Sequence, residues 1–98
     1  MPALIWHPDA VDDVERLHDF LAANSVAAAS RAAQVIRAAG YLIAENPGLG
    51  TPRAEFREWA AKFGRSSFVL RYAILGDGDV LVTRVWHSRE LRSIAGEA

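Results

Sequence analysis

The apolar positions of this chain follow two different periods. From Ser66 to Glu90 they alternate: Phe68–Leu75 and Val80–Trp86 are apolar-rich runs on either side of Gly76-Asp77-Gly78-Asp79. An Asp-Gly pair between two such runs is a strong β-hairpin signal, because a type I′ turn needs positive φ at both central residues. With Asp77-Gly78 at the turn, Gly76 faces Asp79, Leu75 faces Val80, Ala73 faces Val82, Arg71 faces Arg84 and Val69 faces Trp86. Successive side chains point to opposite faces of a strand. One face is then Phe68, Leu70, Tyr72 and Ile74 with Leu81, Thr83, Val85 and His87, almost wholly apolar and expected to pack on a core. The other is Val69, Arg71, Ala73 and Leu75 with Val80, Val82, Arg84 and Trp86.

The first half of the chain is helical in period. Leu4 and Trp6 alternate with Ala3 and Ile5, which predicts a short strand over Ala3–His7. Pro8 then suits a first helical position, where its missing N–H is not needed. Asp9, Asp12 and Asp13 sit in the first turns, where the helix dipole favours them. Val11, Val14, Leu17 and Leu21 form the apolar stripe with Phe20 on its shoulder. These acids are explained by the helix start, and no catalysis is assigned to them. Asn24-Ser25 breaks this helix and caps a second, from about Val26 to Glu45. The second helix is alanine-rich, which predicts a close helical hairpin, with Val35, Ile36, Leu42 and Ile43 as its larger core contacts. Gly40 costs about 1 kcal/mol there relative to Ala and marks a close crossing. Asn46–Pro52, with two prolines and two glycines, is a loop. A strand is predicted at about Phe56–Phe63, although Ala60-Ala61 also suits a short helix. Gly64-Arg65-Ser66 is a turn. Ser88–Ile94 reads as a last helical turn exposing Arg89 and Arg92, and Gly96–Ala98 as a frayed tail. The order is β-α-α-β-β-β, an α+β fold with a helical hairpin on one face of a mainly antiparallel sheet.

Composition narrows the functional classes. Ninety-eight residues make one domain, spanning 1–98, and 51% hydrophobic residues can fill its core. The formal net charge of −1 does not mark a nucleic-acid binder as a whole. Locally the charge is polarised: Asp9, Asp12, Asp13, Glu15 and Asp19 crowd the first helix, while Arg53, Arg57, Lys62, Arg65, Arg71, Arg84, Arg89 and Arg92 follow later. Without cysteine there is no disulfide framework and no Cys-based zinc site. No His-x-x-His or carboxylate cluster suggests a metal, and no glycine-rich loop enters a helix to hold a nucleotide, so no cofactor is expected. The start of the chain does not read as a signal peptide, and no stretch approaches the roughly 20 apolar residues of a membrane span. A cytoplasmic protein is expected.

Arg71 beside Arg84 is the informative feature of the hairpin's second face. Like charges opposite each other destabilise a sheet by up to roughly 1 kcal/mol. Either Glu55 or Glu58 on a neighbouring strand neutralises them, or both reach water, or an anion belongs there. A partner's carboxylates or a phosphate would suit the arginine fork. In the partner reading, replacing both arginines with Leu leaves stability unchanged or raised.

Several short motifs, in order, carry a resemblance over nearly the whole chain. They are Pro8-x-Ala10 with Asp13, Asn46-Pro47 with Leu49-Gly50, Leu70-Arg71-Tyr72, and Arg84-Val85-Trp86-His87 followed by Arg89-Glu90-Leu91. The chain resembles the RelE/ParE superfamily, the toxins of bacterial type II toxin–antitoxin modules. The resemblance implies a partner antitoxin encoded by the neighbouring gene, a hetero-oligomer, and operator DNA bound only through the antitoxin. ParE-like members are implied to poison DNA gyrase, and RelE-like members to cut messenger RNA on the ribosome. An RNA-cleaving site needs a base, an acid and cations for the phosphate. Glu55 or His87 could be base, His87 acid, with Arg71 and Arg84 on the phosphate. Against this, the hairpin register puts His87 on the core side, Lys62 is the only lysine, and Ser88 rather than an aromatic follows His87. These departures favour the ParE-like branch. The expected antitoxin surface is Val69, Arg71, Arg84 and Trp86, and the expected target-binding segment is Arg84, His87, Arg89 and Arg92. A binding module without toxicity is the third possibility.

Overall fold

The computed structural model describes residues 3–90. Strand β1 (Leu4–Trp6) leads into α1 (Pro8–Ala22) and α2 (Val26–Glu45), followed by β2 (Thr51–Arg53), β3 (Phe56–Phe63), β4 (Ser66–Ile74) and β5 (Val80–His87). The sheet order is β1-β5-β4-β3-β2, with β1 parallel to β5 and every other pair antiparallel. The fold is α+β, two helices against a mostly antiparallel sheet. The element expected at Phe56–Phe63 is a strand. One addition is β2, a three-residue edge strand inside the stretch read as a loop. It turns back into β3 through Ala54 and Glu55, with Ala54 at φ +44°. No helix among the described residues is long and apolar enough to cross a membrane.

Local chemistry explains the helix ends. His7 caps α1, its Nδ1 accepting from Asp9 N at 3.0 Å, and Pro8 opens the helix. Ser25 caps α2, its Oγ accepting from Ala28 N at 3.0 Å. Helix α1 packs along β5, and α2 lies over β3 and β4. Their buried stripes, with Leu17, Ile36 and Ile43, meet Phe68, Leu70, Tyr72, Val80, Val82 and Val85 in one core. Leu42 is not part of it and is exposed. Gly40 does mark a close approach, but to the β1 strand: a Cβ there would stand 2.6 Å from the Trp6 ring. The loop after α2 is fastened from below by Tyr72, whose hydroxyl donates to Pro47 O at 2.7 Å and accepts from Gly50 N at 2.8 Å.

The β4–β5 hairpin departs from the expected register over its half nearest the turn. Phe68, Val69, Leu70 and Arg71 pair with His87, Trp86, Val85 and Arg84 as expected. Beyond Arg71 the ladder slips, and Tyr72, Ala73 and Ile74 pair with Val82, Leu81 and Val80. The cause lies at both ends of the slip. Gly78 N donates to Leu75 O at 2.9 Å, so the turn is centred on Gly76-Asp77, and Gly78 follows at φ +93°. Such a turn carries one more residue than the type I′ form. The extra residue on β5 is taken up at Thr83, whose hydroxyl donates to Arg71 O at 3.2 Å in place of a ladder bond. Because one residue of slip exchanges the faces of a strand, Val80 and Val82 are buried in the core, not Leu81 and Thr83. Ile74, expected inside, is exposed.

Candidate functional site

The two arginines expected to share a face leave the sheet in different directions. Arg84 wraps the outer edge of β5 toward α1 and meets Asp13. Its Nε and Nη2 donate to Oδ2 and Oδ1 at 2.8 and 3.0 Å, a two-pronged pair. Asp13 Oδ2 also accepts from Val85 N at 2.8 Å, and Arg16 lies 3.4 Å from Oδ1. Asp13 is 4% exposed, the one charged side chain among the described residues buried in the core layer. Burial pushes its carboxyl pKa up. The hydrogen bonds from Arg84 and Val85, the Arg84 charge and the Arg16 bond outweigh that and hold it below the ordinary value. The same pair raises the Arg84 pKa above its already high value.

Arg71 stays on the face away from the helices. Its Nη2 and Nε donate to Glu58 Oε2 at 3.0 and 3.3 Å, and its guanidinium stacks 3.9 Å from the Phe56 ring centroid. Glu58 is also met by Arg53 Nε at 3.4 Å. Each arginine thus has an internal carboxylate, which corrects the expectation that a partner's acids are needed to keep the two apart. Glu58 is one of the two neutralisers the sequence offers; Asp13, a favourable charge at a helix start and part of the Pro8-x-Ala10 motif, is an unexpected one. A signal for it was present. Ala10, Asp13, Val14 and Leu17 fall at the spacing of one helix face, so a carboxylate stood on the buried stripe and required a cation.

The face expected to be open is only partly so. Val69 and Arg71 are half-buried, while Trp86 is 2% exposed although it lies outside the helix-side core. Its indole N–H finds no acceptor among the described residues, and Arg71 lies 5.5 Å from its ring centroid. Glu55 sits exposed at the β2–β3 turn.

His87 ends β5, on the core side, edge-on to Phe68 with 5.4 Å between ring centroids. Arg89 N donates to its Nδ1 at 3.1 Å, so Nδ1 carries no proton. Its Nε2 lies 2.8 Å from Ser66 Oγ, whose own proton goes to Phe63 O at 3.2 Å, so Nε2 is the donor. The ring is a bridge between β4, β5 and the turn that follows. Within that turn Glu90 N donates to His87 O at 3.0 Å. Arg89 is exposed, and Arg92, with the rest of the helical turn expected to Ile94, lies outside the described residues. Beside His87 an apolar groove of about 480 Å³ opens between α1 and the sheet end, lined by Leu17, Phe20, Leu21 and Phe68 with Arg16 and Arg89 at the rim.

This architecture is not isolated. The model of the ParE toxin of the type II toxin–antitoxin system parDE matches residues 4–92. The chain belongs to the ParE toxin family. Two relatives from Caulobacter vibrioides are similar in sequence. Toxin RelE1 is 37% identical over 81 residues, covering 82% of this chain and 86% of its own. Toxin RelE3 is 31% identical over 86 residues, covering 87% and 92%. A solved structure described as the chromosomal ParDE TA system from P. aeruginosa superposes with a TM-score of 0.73, covering 91% of this chain and 98% of the other at 17% identity. At that identity the likeness is one of fold. In this ParE-family chain, Arg84 and His87 of the last strand are both engaged, Arg84 with α1 and His87 with the start of β4.

Proposed function

We propose that this ParE-family toxin arrests growth by binding its target, DNA gyrase, and that an antitoxin from the neighbouring gene holds it inactive. The observation that carries the binding mechanism is the state of His87. A general acid–base needs a ring nitrogen free to exchange a proton with substrate. Here Nδ1 accepts from Arg89 N, and Nε2 is spent on Ser66. The other groups a nuclease would recruit lie apart: Arg84 on Asp13, Arg71 on Glu58 on the opposite face, Glu55 at a distant turn. Arg89 and Arg92 are the cations offered to the target, through an acidic surface or the phosphates of DNA it holds.

The antitoxin binds across the second sheet face around Val69 and Arg71, burying well over about 1,000 Å². Its acids compete with Glu58 for the Arg71 fork. Arg84 and Trp86 support that face from beneath. Operator DNA is reached only through the antitoxin.

A second reading has one observation in its favour: both Caulobacter relatives bear the name RelE. As a ribosome-dependent mRNA endonuclease, the chain would use Glu55, Arg71, Arg84 and His87, and His87 would have to release one of its two partners. The test is induced expression without the neighbouring gene, followed by gyrase supercoiling and translation assays. Under the binding reading, His87→Gln keeps most of the growth arrest and a combined Arg89→Glu, Arg92→Glu change abolishes it. Loss of toxicity in a folded His87→Gln protein with normal antitoxin binding would transfer the assignment to the nuclease.

A further inference from the structure

The outer edge of β5 changes neighbours part-way along. Strand β1 pairs with it only from Val80 to Val82. Beyond that point the outward backbone groups are met by side chains and by the turn after the strand. Asp13 Oδ2 takes Val85 N at 2.8 Å, and Arg16 Nη2 donates to Val85 O at 3.5 Å. Glu90 Oε1 takes His87 N at 2.7 Å, while Arg16 Nη1 donates to the other oxygen of the same carboxylate, Oε2. Arg16 therefore stands between two acids, Asp13 buried on its own helix and Glu90 on the turn.

An unpaired strand edge exposes donors and acceptors and frays unless something covers them. The Glu90 carboxylate does this at the last strand residue, and its position is set by Arg16. We propose that Arg16 and Glu90 form a clasp that fixes the chain's exit from β5 and so positions Arg89. Arg16 is a positioning residue in this scheme; it need touch neither target nor antitoxin. The clasp acts locally. Both side chains are partly exposed, Arg16 by 40% and Glu90 by 26%, and exposed ion pairs add little to global stability. Its relevance to toxicity rests on the reading above in which Arg89 and Arg92 meet the target.

Limited trypsin digestion of the full chain, followed by mass spectrometry, tests the clasp. Arg16→Gln breaks it while leaving the bond after Arg89 chemically unchanged. Cleavage after Arg89 should quicken by roughly tenfold, as expected for a local opening made easier, while cleavage after Arg31 and Arg37 in α2 keeps its original rate. Arg16→Lys, which retains the charge, should recover part of the protection. High salt should quicken wild-type cleavage after Arg89 and leave Arg16→Gln unaffected. Unchanged cleavage after Arg89 in Arg16→Gln overturns the proposal. So does an equal acceleration at every site, because that is loss of global stability. If the variant frees Arg89 yet still arrests growth fully, the clasp stands and the role of Arg89 and Arg92 in toxicity falls.

Discussion

Replacing Asp13 with Ala removes the carboxylate on which α1 and β5 converge, and the loss can be estimated from its partners. Val85 N–H, buried at the strand edge, is left without an acceptor, which costs about 1–3 kcal/mol. Arg84 loses a two-pronged partner. Breaking a fully buried ion pair costs about 3–5 kcal/mol, but that is an upper bound here. The Arg84 side chain is 32% exposed and can turn partly to water, so a contribution of about 1–2 kcal/mol is appropriate. The sum is about 2–5 kcal/mol, a large fraction of the roughly 5–15 kcal/mol that holds a domain together. At about 4–8 °C per kcal/mol for a chain of this size, the melting temperature should fall by roughly 8–40 °C. Thermal and urea unfolding at neutral pH, with the urea m-value unchanged, measure it. Asp13→Asn should lose less, since its amide oxygen can still accept from Val85 N. A loss under about 1 kcal/mol for Asp13→Ala would refute the claim that this carboxylate anchors the helix to the strand.

Four further outcomes follow from the same contacts. The folded-state pKa of Asp13 is depressed, so its contribution is fully present above the unfolded carboxylate value of about 4 and is lost as pH falls through the lower folded value. Urea titrations at stepped acid pH should show this loss in wild type and not in Asp13→Asn. Replacing Arg71 and Arg84 together with Leu should destabilise the chain by about 2 kcal/mol or more, measured by urea unfolding, because two internal carboxylates lose partners. Gly40→Ala would gain about 1 kcal/mol at an open helix site. Against the Trp6 ring it should instead give a net loss of about 1 kcal/mol, with altered tryptophan fluorescence reporting the displaced ring. In the growth assay, His87→Gln should retain toxicity while the double reversal of Arg89 and Arg92 should not.

The amino-acid pattern alone determined the element order apart from β2, the start of α1 at Pro8, the cap of α2 at Ser25, the placement of β3 and the far half of the hairpin register. Each depends on residues within a turn or two of each other, where periodicity, dipole and capping act. It also carried the family, through short motifs whose spacing survives in the linear chain. The tertiary structure decided the rest. Val80 and Val82 entered the core because a longer turn and a bulge at Thr83 shifted the pairing by one residue, a difference that no alternation of apolar residues records. Arg71 and Arg84 look like a repelling pair in the sheet. They part because Glu58 is brought up by β3 and Asp13 by α1, 13 and 71 residues away along the chain. His87 could be read as an acid–base from its neighbours in sequence. Its partners Ser66 and the Arg89 amide fix its tautomer, and the nearer of the two acts only once the turn after β5 has closed. Buried charges and histidine tautomers are settled by which groups lie within hydrogen-bond reach, and that is a property of packing.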